Sequence, residues 1–161
     1  MEPLLGELQY QKYLRDWINT EFEFTHAATL TLTPAFRTSL AKAETVCRVF
    51  QHKLNKAVWG RNRSDNGLAE LAFVPIVQGD ATSHNLHLHF AIGGFPTRLT
   101  ESELHDRFLR SAHHTLGVWH QTDFAPIVGA WSNYITRELR QRNDRTLLIQ
   151  YMSKGLKPAA G

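Results

Sequence analysis

A chain of 161 residues with 42% hydrophobic side chains and no break in composition suits one compact domain around a single core, compatible with being the N-terminal part of a longer protein. Its 18 Lys and Arg against 15 Asp and Glu leave a formal charge of +3, which permits a polyanionic partner without requiring one. One cysteine, Cys47, excludes an intramolecular disulfide and a cysteine-rich zinc site. A start without a basic, then apolar, leader and the lack of any run of about 18 apolar residues give the expectation of a soluble cytoplasmic protein with no membrane contact.

Residues 4 to 19 place Leu4, Leu8, Tyr13, Leu14, Trp17 and Ile18 at roughly helical spacing. A strand follows in which Ala28, Leu30 and Leu32 alternate with Thr29, Thr31 and Thr33, ended by Pro34. From 36 to 58 the apolar set Phe36, Leu40, Ala43, Cys47, Phe50, Leu54 and Val58 steps by three or four, the pattern of an amphipathic helix. Near its end Lys53, Lys56, Arg61 and Arg63 surround Trp59, a mixture able to contact phosphates and stack a base, and equally able to be a solvated helix end.

A strand is expected over 68–78, then a turn, then the strand that carries His87 and His89. Alternation sends Leu86, Leu88, Phe90 and Ile92 into the core and the two imidazoles together to the other side. Two residues on one strand face stand about 6.6 Å apart, a gap that two ring nitrogens can close onto one cation. Thr100 with Glu103 three residues on is a capping-box signature for a helix with Leu104, Phe108, Ala112 and Leu116 inward, ended by Gly117. The adjacent pair His113 and His114 points to divergent sides and reads as surface or capping. Residues 118–127 are again extended, 129–141 form a short helix, and 146–152 a last strand. The sum is an α+β domain: a single five-stranded, mainly antiparallel sheet with helices packed mostly on one face and an open polar face.

The helix at 129–141 sets Tyr134, Arg137 and Glu138 at i, i+3 and i+4, so a nucleophile, a cation and a carboxylate share a side. A tyrosine hydroxyl needs activation by a nearby metal or base, because its free pKa is about 10.

Three segments together resemble the HUH endonucleases, the nicking enzymes of rolling-circle initiators, conjugative relaxases and related transposases. Residues 28–33, Ala-Thr-Leu-Thr-Leu-Thr, are similar to the family's first motif; His87-Leu88-His89 to its second; and Tyr134-Ile135-Thr136-Arg137 with Glu138 to its third. The resemblance spans nearly the whole chain. Arg137 stands where the family usually has Lys, whereas Tyr151-Met152-Ser153-Lys154 fits the tyrosine-lysine spacing literally. Tyr134 with Arg137 is nonetheless the favoured catalytic pair, because it lies on an expected helix directly after a strand with Glu138 as the neighbouring acid, whereas Tyr151 sits in an apolar strand-like run followed by Gly155; Tyr151 with Lys154 is the second.

The resemblance implies a metal held by His87 and His89 with a third ligand, for which Gln78 is the first choice, Asp80 and His84 are alternatives, and Glu138 is a further candidate. Such a donor set suits Mg²⁺ or Mn²⁺. The implied activity is metal-dependent nicking and joining of single-stranded or hairpin DNA through a 5′-phosphotyrosine, with replication machinery or a helicase as a further partner. A noncatalytic single-strand-binding module with an RNA-recognition-like sheet is the alternative. A hydrolase in which a His-x-His metal activates water is disfavoured by the scarcity of further clustered ligands.

Overall fold

The computed structural model describes residue 16 and residues 24–66, 69–79 and 86–127. In chain order these form β1 (His26–Leu32), α1 (Leu40–Trp59), α2 (Arg61–Asp65), β2 (Ala72–Gln78), β3 (His87–Gly93), α3 (Glu101–His113) and β4 (Val118–Pro126). The sheet is antiparallel throughout, in the order β2-β3-β1-β4. Each helical crossover skips one strand, and the skipped places are filled by the two central strands.

The register decides what each face carries. Leu30 pairs with Leu88 and Ala28 with Phe90, whereas Thr29 pairs with His89 and Thr31 with His87. On β2, Gln78 lies opposite His87 and Ile76 opposite His89. The first set faces α1 and α3, where Phe50 meets Phe90 at 5.1 Å between ring centroids and Phe108 at 5.7 Å, and Phe108 stacks on Phe124 at 4.7 Å. Phe50 is fully buried; truncating such a ring to alanine costs about 3–5 kcal/mol. Cys47 lies in this core as expected, its thiol pKa pushed up first by burial and then by Glu44.

Both long helices begin at identifiable caps. The side chain of Ser39 accepts from Lys42 N, and Thr100 and Glu103 form the reciprocal capping box that the sequence announces. At the other end of α1, Arg98 Nη2 donates to the carbonyl of Val58 at 3.1 Å and Arg107 Nη1 to that of Ala57, so two guanidiniums satisfy the end of the helix.

Four expectations are corrected. The sheet has four strands, not five: β2 and β4 are its edges among the described residues, and the fifth strand expected at 146–152 lies outside them. The first long helix starts at Leu40 rather than Phe36, because the amides of Phe36 and Arg37 bond back to Thr33 O in a turn and Ser39 then caps the helix. The helix opened by Thr100 ends at His113, leaving Leu116 81% exposed rather than inward. Finally, the second face of the sheet is not openly polar throughout: Val74, Ile76 and Ala91 on it are fully buried, and the polar stretch is confined to the neighbourhood of His87, His89, Thr29 and Thr31. The helix expected at 4–19 lies outside the described residues except at Asp16, which is helical.

Gly117 has φ +95°, and a Cβ there would overlap the ring of Phe36. The glycine thus both reverses the chain out of α3 and lets the 34–38 turn pack under the start of β4.

Candidate functional site

Strand pairing brings three of the sequence-predicted ligands together. His87 and Gln78 face each other across β3 and β2, and His87 Nε2 donates to Gln78 Oε1 at 3.3 Å. The rings of His87 and His89 are 4.9 Å apart, nearly perpendicular. On the other flank Thr29 Oγ1 is 3.0 Å from His89 Nδ1. This contact fixes the ring from its Nδ1 side, the way imidazoles that ligate through Nε2 are oriented by an outer hydrogen bond.

His89 is 8% exposed and Gln78 5%, while His87 is half-buried. Burial, and secondly the proximity of His87, lower the pKa of His89 to about 4, so its imidazole is neutral at physiological pH. A neutral ring is the form that binds a metal.

The spacing of one donor pair is compatible both with the hydrogen bond it makes and with a divalent cation taking the place of the Nε2 proton. Two ligand atoms bound at about 2.1 Å and subtending a near-right angle are separated by about 3.0–3.3 Å, the spacing of His87 Nε2 and Gln78 Oε1. The set is nonetheless sparse. Among the described residues no group of three or more His, Cys, Asp or Glu side chains gathers into a metal cage, so the amide of Gln78 is what extends the imidazole pair.

Tyr134, Arg137, Glu138, Tyr151 and Lys154, together with the alternative ligands Asp80 and His84, lie outside the described residues. Of the basic run, Lys53 Nζ donates to His114 O at 2.6 Å, and Arg61 and Arg63 sit on α2.

The structure also adds residues that periodicity did not single out. Trp119, next to Val118 whose partner is the core residue Leu32, leaves β4 toward the polar face and is 36% exposed. The guanidinium of Arg37 lies 5.7 Å from the centroid of its ring, within the range of a cation–π contact. Asp123 pairs with Thr29 and so extends the row Ile76, His89, Thr29 across the sheet, though it stands two strands, about 10 Å, from His89. On the helix face His26 is 4% exposed. Its Nε2 is 2.9 Å from both carboxylate oxygens of Glu101, its Nδ1 is 2.7 Å from Thr25 Oγ1, and its ring stacks on Phe124, which ties the start of α3 to β1. Only an exposed tryptophan in a strand predicted as edge would have flagged Trp119 from sequence; nothing local marks Arg37 or Glu101.

No helix among the described residues is long and apolar enough to cross a membrane. Compared with protein-family models, with curated proteins and with solved structures, the chain matches none.

Proposed function

We propose that this domain binds single-stranded nucleic acid across the face formed by β1 and β3. The observation that carries the reading is the strand order β2-β3-β1-β4, which sets the Thr29/Thr31 and His87/His89 rows side by side on the two central strands. The order resembles that of RNA-recognition folds, whose central strands carry the bound bases. Those folds stack bases on central aromatics. Here the central positions carry the half-buried Thr29, Thr31 and His87 in place of aromatics, and stacking falls to the exposed Trp119 at the edge with Arg37 beside it. A net charge of +3 is compatible with a phosphate backbone, and the cytoplasm is the compartment we assign.

The test is fluorescence anisotropy with single-stranded DNA, single-stranded RNA and duplex oligonucleotides. Preference for single strands, with Trp119→Ala weakening binding by about tenfold, is the expected result. Equal affinity for duplex, or indifference to Trp119→Ala, would count against the face.

A second reading, metal-dependent nicking and joining of single-stranded DNA, is favoured by the convergence of His87, His89 and Gln78. Mg²⁺ or Mn²⁺ held there would supply Lewis acidity toward a phosphodiester. The chain's own part is to keep His89 neutral by burial, to orient its ring through Thr29, and to offer a tyrosine, Tyr134 or Tyr151, as nucleophile. Attack by that hydroxyl forms the tyrosine–phosphorus bond, breaks the bond from phosphorus to the 3′ oxygen and leaves a free 3′-OH, with Arg137 or Lys154 offsetting the charge. An initiator of this kind would work beside replication machinery or a helicase. Incubation with labelled hairpin DNA and Mn²⁺ on a denaturing gel tests it: a shifted covalent band lost in Tyr134→Phe or in Tyr151→Phe identifies the nucleophile, and no band with any hairpin leaves binding alone as the function.

A further inference from the structure

At the opposite end of β3 from His87, about 20 Å away by strand rise, lies a solvent-open cleft of about 660 Å³. Among the described residues its walls are Trp59, Arg63, Phe95, Pro96, Thr97 and Arg98. These come from three places: the last residue of α1, the short α2, and the β3–α3 loop. Gly60, with φ +88° and ψ 153°, turns the chain between Trp59 and α2 and leaves open space where a Cβ would stand.

The cavity combines an aromatic floor with a cationic rim. Phe95 and Trp59 pack partly against the core, and Pro96 is buried, so the part of the β3–α3 loop that forms the floor is anchored to the core. Arg98 is tethered by its bond to the Val58 carbonyl, which fixes the guanidinium while leaving further N–H groups to donate. With Arg107 on Ala57 O, it also offsets the negative end of α1, which would otherwise repel an anion. Arg63 is exposed on α2. No carboxylate lines the cavity among the described residues.

We propose that this cavity binds a nucleoside 5′-monophosphate unit, with the base against Trp59 and Phe95 and the phosphate between Arg63 and Arg98. Two guanidiniums match phosphate oxygens in a way ammonium groups do not, a flat apolar floor selects a planar partner over a simple anion, and the volume lies within the range of small-ligand sites. The unit comes either as a free nucleotide or as one residue of a strand. The proposal does not depend on the sheet face binding anything, since none of its residues lies there.

The experiment is calorimetric titration of the full chain with dAMP, deoxyadenosine and inorganic phosphate, for wild type, Arg63→Ala and Trp59→Leu. Binding of dAMP about tenfold tighter than of either deoxyadenosine or phosphate is expected. Arg63→Ala, at an exposed position with no role in capping α1, should weaken dAMP about tenfold and leave deoxyadenosine unchanged, with an unaltered thermal midpoint. Trp59→Leu should weaken both. Absence of dAMP binding at millimolar concentration, or dAMP affinity indifferent to Arg63→Ala, overturns the proposal.

A third arm distinguishes the two sources. Loss of oligo-dA affinity in Arg63→Ala in step with dAMP assigns the unit to a strand, whereas an unchanged oligonucleotide affinity assigns it to a free nucleotide. Trp119→Ala, by contrast, bears only on oligonucleotide binding at the sheet face, so failure of one site is not mistaken for failure of the other.

Discussion

Thr29 and His89 are cross-strand partners whose side chains meet 3.0 Å apart, from hydroxyl oxygen to Nδ1. The pair sits where the second face of the sheet changes from buried apolar to polar, and it holds a neutral imidazole in place. In the unfolded chain that imidazole takes a proton near pH 6.5; in the folded chain only near pH 4. Between those values the unfolded state binds more protons. The stability that His89 contributes is therefore complete above pH 6.5, is lost progressively as pH falls to 4, and changes little below. Urea denaturation at a series of pH values should show a loss of up to about 3 kcal/mol across that window, reduced in His89→Asn. An identical pH profile for the variant would mean that other groups govern acid sensitivity.

Divalent binding should depend on the same corner of the sheet. Mn²⁺ titration followed by electron paramagnetic resonance is expected to give a site that His87→Asn weakens by more than tenfold and Gln78→Leu by about tenfold. A Gln78→Leu protein that binds Mn²⁺ as well as wild type would remove the amide from the donor set.

Gly117→Ala should be among the more damaging single-methyl changes in the chain. The added Cβ meets the Phe36 ring and the backbone must hold a positive φ, so a loss of about 2 kcal/mol or more is expected in thermal or chemical denaturation. Combining it with Phe36→Ala, which removes the obstacle, should be less than additive.

Thr100→Ala removes one half of the capping box on α3 and is expected to cost about 1 kcal/mol. Thr100→Ser should restore most of it. If both variants match wild type in denaturant midpoint, the start of α3 is held by His26 and Glu101 instead.

These residues also explain what could be read in advance. The alternation of residues 26–32 is legible because there burial follows period two; in the histidine strand period two gives the core face of Leu88, Phe90 and Ile92 but not the burial of His89 and Ala91 on the other. The capping box was legible because its chemistry is local. Three features escape the sequence reading. Phe36 carries the apolar spacing of the helix that follows, yet a turn bonded to Thr33 O separates it from that helix; spacing cannot distinguish a core residue in a turn from one in a first helical turn. Val74 and Ile76 share a continuous apolar run with Phe73 and Val77, the pattern of a strand buried on both faces, which the expectation of an open polar face leaves out of account. The pairing of Gln78 with His87 needed the register, which is a property of two strands. The resemblance to the HUH endonucleases points to Gln78 on other grounds, as a ligand from the neighbouring strand.

Pro75 lies in the middle of β2, at an edge of the sheet among the described residues, and has no N–H to offer. A second chain seeking to extend the sheet along β2 would meet a gap in the donor ladder halfway along, which discourages growth from that side. β4, nine residues long, has a proline only at its last position. Among the described residues the two edges of the sheet are thus chemically unequal: a strand pairing along β2 meets the missing donor of Pro75 halfway, whereas one pairing along β4 meets none before Pro126.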